Sequence, residues 1–128
     1  MARTAIRLLL TAVLAAAAHA GDFLPMMPME TDLVPIHVSV DGGGETARRA
    51  REQLGMDIAL SGLLRLSDAD ESYASAEVEV SRTAGGVRLS ARLLAGGELV
   101  LQRQYGGSSV YPLVHALSDD MVYVLTGE

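Results

Sequence analysis

An alternating pattern between residues 76 and 93 constrains the fold of this chain more than any other stretch. Apolar and polar side chains alternate on both sides of a short glycine-containing break, which is typical of half-buried β-strands. A four-residue turn at the break would place Val80 opposite Leu89 and Glu77 opposite Arg92. The apolar match and the charge match then select the same register. The sequence therefore predicts an antiparallel hairpin.

Helical periodicity appears on either side of this hairpin. From about Glu45 to Ser61, apolar residues recur at every third or fourth position, and Gly62 stands where a left-handed helix terminator is expected. A second apolar stripe follows a Gly-Gly break near the end of the chain. Its members are Val110, Leu113, Val114, Leu117, Met121, Val124 and Leu125.

Shorter strands are predicted at Pro35–Val40, at Leu63–Leu66 and at Glu98–Tyr105, where Leu99 and Leu101 would face the core. The order of these elements predicts an α+β fold, with two helices packed on one face of a mixed or antiparallel sheet. We assign this domain to residues 34–128.

Residues 1–20 have the pattern of an export signal. Arg3 and Arg7 precede the apolar run Leu8–Ala18, and Ala18-His19-Ala20 is a small-x-small cleavage site. The run is shorter than the ~20 residues that a spanning helix needs. We therefore expect a periplasmic protein that is not inserted in a membrane.

Residues 21–33 predict a flexible arm, because Pro25 and Pro28 interrupt both helices and central strands. Its thioethers could bind cuprous copper, since soft ligands select that ion. The interpretation we favour is an adaptable arm that docks a partner protein, a common use of Met. The residues concerned are Phe23, Met26, Met27 and Met29.

The composition argues against two classes of partner. The chain has 16 acidic and 10 basic residues, a formal net charge of −6, and every basic residue is Arg. Loss of the signal would remove Arg3 and Arg7 and make the chain more acidic still. Such a surface repels nucleic acid and anionic lipid. The chain has no Cys, so it forms no disulfide.

The last predicted helix carries a motif of spaced residues. His115 is followed four positions later by Asp119, and then by Leu125, Thr126 and Gly127. This spacing resembles the closing helix of the amino-terminal domain of the TolB family, the periplasmic proteins of the Tol-Pal envelope system.

A second match lies at the end of the first predicted helix. The run Asp57-Ile-Ala-Leu-Ser61-Gly62-Leu-Leu is similar to the family's Asp-Leu-x-x-Ser-Gly-Leu-Phe, with Leu64 in place of the Phe. The resemblance covers most of the chain that follows the predicted signal, and it does not include the family's β-propeller.

The resemblance implies a protein–protein interaction module of the periplasm, with no catalytic activity and no cofactor, that contributes to Tol-Pal-type envelope integrity and protein transport. The partner implied for this domain is a TolA-like inner-membrane protein. Binding of Pal belongs to the propeller in that family and is not expected here. The alternative is a stand-alone periplasmic adaptor whose partner lies outside the Tol-Pal system.

The motif residues have both functional and structural interpretations. His115 and Asp119 could form a metal or acid–base pair, but zinc needs three or four protein ligands. We favour a solvated pair on the side of the helix away from the apolar stripe. The two Ser/Thr–Gly pairs are more typical of helix ends, where Gly supplies positive φ and the hydroxyls bind backbone groups.

Two further features of the sequence bear on function. No Gly-x-Ser-x-Gly elbow occurs, so no catalytic Ser is predicted. Met56 and Leu60 lie on the side of the first helix away from its apolar face. They could form a partner-binding patch, although isolated exposed apolar residues are common.

Overall fold

The computed structural model describes residues 33–128, and within them the chain forms five strands and two α-helices. The elements are β1 Val34–Asp41, α1 Gly44–Ser61, β2 Leu64–Leu66, a 3-10 helix Ala69–Glu71, β3 Ala74–Thr83, β4 Gly86–Ala95, β5 Glu98–Gly107 and α2 Val110–Thr126. The predicted signal at residues 1–20 lies outside the described residues. So do residues 21–32 of the predicted arm, including Phe23, Met26, Met27 and Met29.

The five strands form one mixed sheet in the order β2-β1-β3-β4-β5. β1 runs parallel to both of its neighbours, β2 and β3. The β3–β4 and β4–β5 pairs are antiparallel and are joined by tight turns. The predicted α+β fold is confirmed.

The hairpin of β3 and β4 has the predicted register. Val80 lies opposite Leu89, and Glu77 lies opposite Arg92. Arg92 Nη1 donates to Glu77 Oε1 at 3.2 Å, and both side chains are about half exposed. An exposed pair of this kind contributes at most about 1 kcal/mol. The apolar face therefore contributes more to the register than the charges do.

The pairing of β4 with β5 contains a β-bulge that the sequence pattern did not predict. Leu93 lies opposite Leu101, and Leu94 lies opposite Leu99, so Val100 is an extra residue on β5. An extra residue reverses the faces of the side chains that precede it. Leu101 packs against the core as predicted. The prediction for Leu99 was wrong, since its side chain is 47% exposed on the other face.

Both helices cover the same face of the sheet. The buried residues of α1 and α2 and the inward residues of β3 and β4 belong to one apolar cluster. α1 contributes Ala47, Ala50, Leu54 and Ile58, and α2 contributes Val110, Leu113, Val114, Leu117 and Met121. Val124 was predicted in this stripe but is 38% exposed, in the last turn of α2. None of the helices within residues 33–128 is both long and apolar enough to cross a membrane.

Candidate functional site: the cleft between the helices

The two sequence motifs come together where α1 and α2 meet. Asp57 on α1 and His115 on α2 are 58 positions apart in sequence, yet Asp57 Oδ2 lies 2.6 Å from His115 Nδ1. They border a shallow cleft of about 220 Å³, which we name the helix cleft. Its lining residues are Asp57, Leu60, Ser61, His115, Ser118, Asp119 and Val122.

Asp57 is the polar centre of the cleft. Its side chain is only 12% exposed. Gln53 Nε2 donates to Oδ1 at 2.9 Å, and His115 Nδ1 contacts Oδ2. The hydroxyl of Ser118 has one hydrogen and two acceptors within reach, Asp57 Oδ2 at 3.2 Å and Val114 O at 2.9 Å, so it donates to one at a time. These contacts hold the carboxylate in one orientation.

The carboxylate in turn fixes the imidazole of His115. An ionised carboxylate only accepts hydrogen bonds, so the Nδ1 beside it carries the hydrogen. In the neutral ring, Nε2 is then an acceptor. The His115 side chain is 54% exposed, and no hydrogen bond from the described residues reaches Nε2.

The partner of His115 differs from the one that the sequence predicted. The interpretation of His115 and Asp119 as a pair within one helix was wrong, because the ring is bonded across the cleft to Asp57. Asp119 is exposed and makes no hydrogen bond or ion pair within residues 33–128.

Sequence reasoning also missed Gln53 and Ser118 as members of this site. Ser118 is 6% exposed, and it was detectable as a polar residue beside the apolar stripe of the last helix. Gln53 is four residues before Asp57, a spacing at which an amide and a carboxylate on one helix commonly bond.

The arrangement of the cleft does not assemble a nucleophile. The hydroxyl of Ser118 contacts Asp57 and a backbone carbonyl rather than the imidazole, so the order Ser–His–Asp needed for acyl transfer is not formed. Nor do the described residues contain a group of three or more His, Cys, Asp or Glu placed to hold a metal ion. What the cleft offers is a fixed imidazole nitrogen and a carboxylate, both open to a binding partner.

Ser61 and Gly62 end α1. Gly62 adopts the left-handed conformation with φ 71°. The Ser61 hydroxyl donates to Ile58 O at 2.7 Å and accepts from the backbone N–H groups of Leu63 and Leu64 at 3.1 and 3.2 Å. This pair closes the helix and starts the next strand.

Thr126 and Gly127 end α2 in the same way. Gly127 has φ 83°, and its N–H donates to Tyr123 O at 2.8 Å. The Thr126 hydroxyl donates to Val122 O at 2.7 Å and accepts from the Glu128 N–H at 3.1 Å. Leu125, the remaining motif residue, is partly buried against the core. Both Ser/Thr–Gly pairs therefore have the backbone roles expected for helix ends.

A second polar cluster ties β5 to α2. Asp120 Oδ2 accepts from the Tyr105 hydroxyl and from Arg103 Nη1, each at 2.7 Å. Burial, together with the hydrogen bond to Asp120, raises the pKa of the Tyr105 hydroxyl above its usual value. The nearby carboxylate of Asp120 likewise raises the pKa of Arg103, which stays charged. This cluster lies on the flank of α2 that faces β5.

Met56 and Leu60 lie on the outward side of α1, as the periodicity predicts. Their side chains are 55% and 79% exposed. Leu60 also lines the helix cleft beside the partly buried Val122. An apolar wall thus adjoins the polar groups of the cleft.

Comparison with known proteins supports the fold. The structure is similar to TolB from Acinetobacter baumannii, with a TM-score of 0.64 and 14% sequence identity over 74% of this chain and 29% of that chain. It is also similar to a Xanthomonas campestris protein of the DUF330 family, with a TM-score of 0.55 and 12% identity over 81% of this chain and 90% of that one. At such identities the likeness concerns the fold alone.

The chain matches 29% of the length of that TolB chain. No protein-family model matches the sequence, and no curated protein matches it at a significant level. What the comparisons show in common with TolB is therefore the α+β fold.

Proposed function

We propose that this protein is a periplasmic protein–protein interaction module, without catalytic activity, that contributes to Tol-Pal-type maintenance of the cell envelope. The observation that carries the proposal is the similarity of fold to TolB over 74% of this chain. The contact between the two family motifs at Asp57 and His115 supports it further, since both motifs border one open cleft.

The partner we propose is a TolA-like inner-membrane protein. Two surfaces of the domain suit a protein partner. One is the helix cleft, and the other is β5, a ten-residue edge strand of the sheet within residues 33–128. Backbone groups on such an edge can pair with an added strand.

A direct binding experiment tests this proposal. The purified protein is immobilised, and the periplasmic part of the TolA-like protein from the same genome is passed over it. Saturable binding is expected, together with recovery of a Tol-system protein from periplasmic and membrane extracts. Absence of both, while TolB from the same cells binds in parallel, would contradict the proposal.

The second candidate function is that of an adaptor with a partner outside the Tol-Pal system. For either candidate, deletion of residues 21–32 tests which part of the chain binds the partner. If the deletion abolishes partner binding and leaves the thermal unfolding transition unchanged, the arm is the binding segment. If binding is unaffected, the folded domain carries the site. Identifying the captured protein by mass spectrometry decides between the two systems.

The proposed export to the periplasm can be tested separately, through cleavage of the predicted signal. The cleavage motif Ala18-His19-Ala20 places Gly21 at the start of the mature chain. Intact-mass measurement of the protein from a periplasmic fraction should give the mass of residues 21–128. A protein that retains residues 1–20 and remains with the cytoplasmic fraction would contradict it.

A further inference from the structure

The helix cleft combines polar and apolar groups in a way that specifies a ligand. His115 Nε2 is fixed in direction by the bond from Nδ1 to Asp57, and it is an acceptor in the neutral ring. The exposed carboxylate of Asp119 lies one helical turn further along α2. Leu60 and Val122 form apolar walls of the same cleft.

The charge of the cleft is uniformly acidic. Its lining residues include two carboxylates, Asp57 and Asp119, and no Lys or Arg. Asp57 is already bonded by Gln53 and His115, whereas Asp119 has no such contact within the described residues. The arginines of α1 lie towards its start, where Glu45 binds Arg48 and Arg49. A cation that enters the cleft therefore meets acceptors on one side and no competing positive side chain from its lining.

We propose that the helix cleft binds the side chain of a lysine on a partner protein. The ammonium group donates to His115 Nε2 and to the carboxylate of Asp119, and its alkyl stem packs against Leu60 and Val122. Lysine side chains commonly bury their stem on apolar surface while keeping the charged head among polar groups. The inference rests on the proposed interaction function and names the chemistry of the partner group.

Lysine fits the cleft better than arginine does. The two acceptors, His115 Nε2 and the Asp119 carboxylate, belong to different side chains on one helix face. This arrangement suits a compact ammonium group with three donors. A guanidinium is planar and is best matched by a carboxylate that accepts two parallel bonds. A second copy of this chain cannot supply the group, because the sequence contains no Lys. The partner must be a different protein.

The test uses small probes and the whole protein. Nα-acetyl-lysine amide is titrated into labelled protein while NMR follows the methyl groups of Leu60 and Val122 and the ring of His115. Nα-acetyl-norleucine amide has the apolar stem without the charge, and Nα-acetyl-arginine amide has the charge in another shape. The lysine probe should produce saturable shifts confined to the cleft, and the norleucine probe should produce none.

A pair of matched variants gives the control. Asp119→Asn removes the carboxylate from an exposed position and should weaken lysine binding about two- to five-fold, the range of an exposed ion pair. Asp70→Asn removes another exposed carboxylate, from the 3-10 helix outside the cleft, and should leave the binding unchanged. Coupling by a carbodiimide should join the lysine probe to Asp119 in preference to the other carboxylates.

Three outcomes would overturn the lysine site. They are shifts spread evenly over the acidic surface, equal binding of the arginine probe, and equal weakening by Asp119→Asn and Asp70→Asn. Such a result is distinguishable from failure of the proposed function. If only the lysine site is wrong, the full chain would still capture a TolA-like protein, and Asp119→Asn would leave that capture unchanged.

Discussion

Asp57 is the residue that joins the two helices by polar contacts. It is 12% exposed and accepts hydrogen bonds from Gln53 on its own helix and from His115 across the cleft. Deleting one partner of such a network leaves the remaining donors poorly satisfied, which costs more than the bond itself contributes. The contact is therefore a stability feature as well as the base of the helix cleft.

The variant Asp57→Ala should lower the free energy of unfolding by about 1–3 kcal/mol, because Gln53, His115 and Ser118 lose a common acceptor. Urea denaturation followed by circular dichroism measures this change. Asp119→Ala is the control, and its effect should stay within about 0.5 kcal/mol since the side chain is exposed. Equal losses in the two variants would mean that the interhelical bonds contribute nothing measurable.

The raised pKa of Tyr105 predicts how folding stability changes at alkaline pH. Because burial and the bond to Asp120 raise its pKa, the folded protein keeps the phenol proton at pH values where the unfolded chain loses it. The resulting stability is complete below the unfolded pKa of about 10 and is lost as the pH rises from there through the folded pKa.

Tyr105→Phe removes the hydroxyl that donates to Asp120 at 2.7 Å and should cost about 1 kcal/mol near neutral pH. Between pH 9 and 11, the wild-type protein should lose stability more steeply than this variant. Urea midpoints across that range provide the measurement. Parallel curves for the two proteins would contradict the assignment.

At the scale of residues, the members of the site are easier to predict from the sequence than the contacts between them. His115 and Asp57 were both singled out by motif spacing. Their contact is not predictable from the sequence, because the two residues are 58 positions apart and meet only through the placement of the two helices on the sheet. Helical spacing alone favours Asp119 as the partner of His115, because it is four positions away. In the structure His115 contacts Asp57 instead.

At the scale of elements, the hairpin was predictable and the bulge was not. Two independent patterns, apolar and charged, agreed on the register of β3 and β4, and a slip by one residue would have reversed both. In β5, Leu99, Val100 and Leu101 are three consecutive apolar residues. Such a run does not determine which of them faces inward, so the extra residue at Val100 left no signal in the sequence.

The turn between β3 and β4 offers a matched pair of glycine variants. A methyl group at Gly86 would collide with the backbone oxygen of Gly107 on β5, whereas one at Gly85 would have nothing within 4 Å. Gly86→Ala should therefore cost more than about 1 kcal/mol, and Gly85→Ala should stay within about 0.5 kcal/mol. Thermal unfolding of both variants measures the difference. A tolerated Gly86→Ala would contradict the close packing of β4 and β5 at this point.

At the scale of the whole molecule, the two helices and the sheet contribute to one apolar cluster. A domain with a single core is expected to unfold in one cooperative transition. The composition and the alternating and helical patterns were sufficient to predict this architecture. The assignment of strands to positions in the sheet was not predictable, because the parallel pairing of β1 depends on contacts distant in sequence.

Leu117 tests that cooperativity. It is fully buried in α2, and Leu117→Ala should lower the free energy of unfolding by about 2–5 kcal/mol. Far-ultraviolet circular dichroism and tyrosine fluorescence should report the same lowered midpoint. Leu60→Ala makes the same chemical change at a side chain that is 79% exposed and should shift the midpoint little. Separate transitions for the two probes would show that the helices and the sheet unfold independently.

The interior position of β1, between β2 and β3, has a consequence for how the chain folds. β3, β4 and β5 follow one another closely and can pair through short turns, whereas β1 must find partners that begin at Leu64 and Ala74. Closing a longer loop costs more entropy, and non-local parallel pairing is intrinsically slow. We expect the meander of β3, β4 and β5 to nucleate folding. β1, although it is synthesised first, should join the sheet late. Until that moment one side of β3 is an unpaired edge, the point at which the nascent sheet is most open to aggregation.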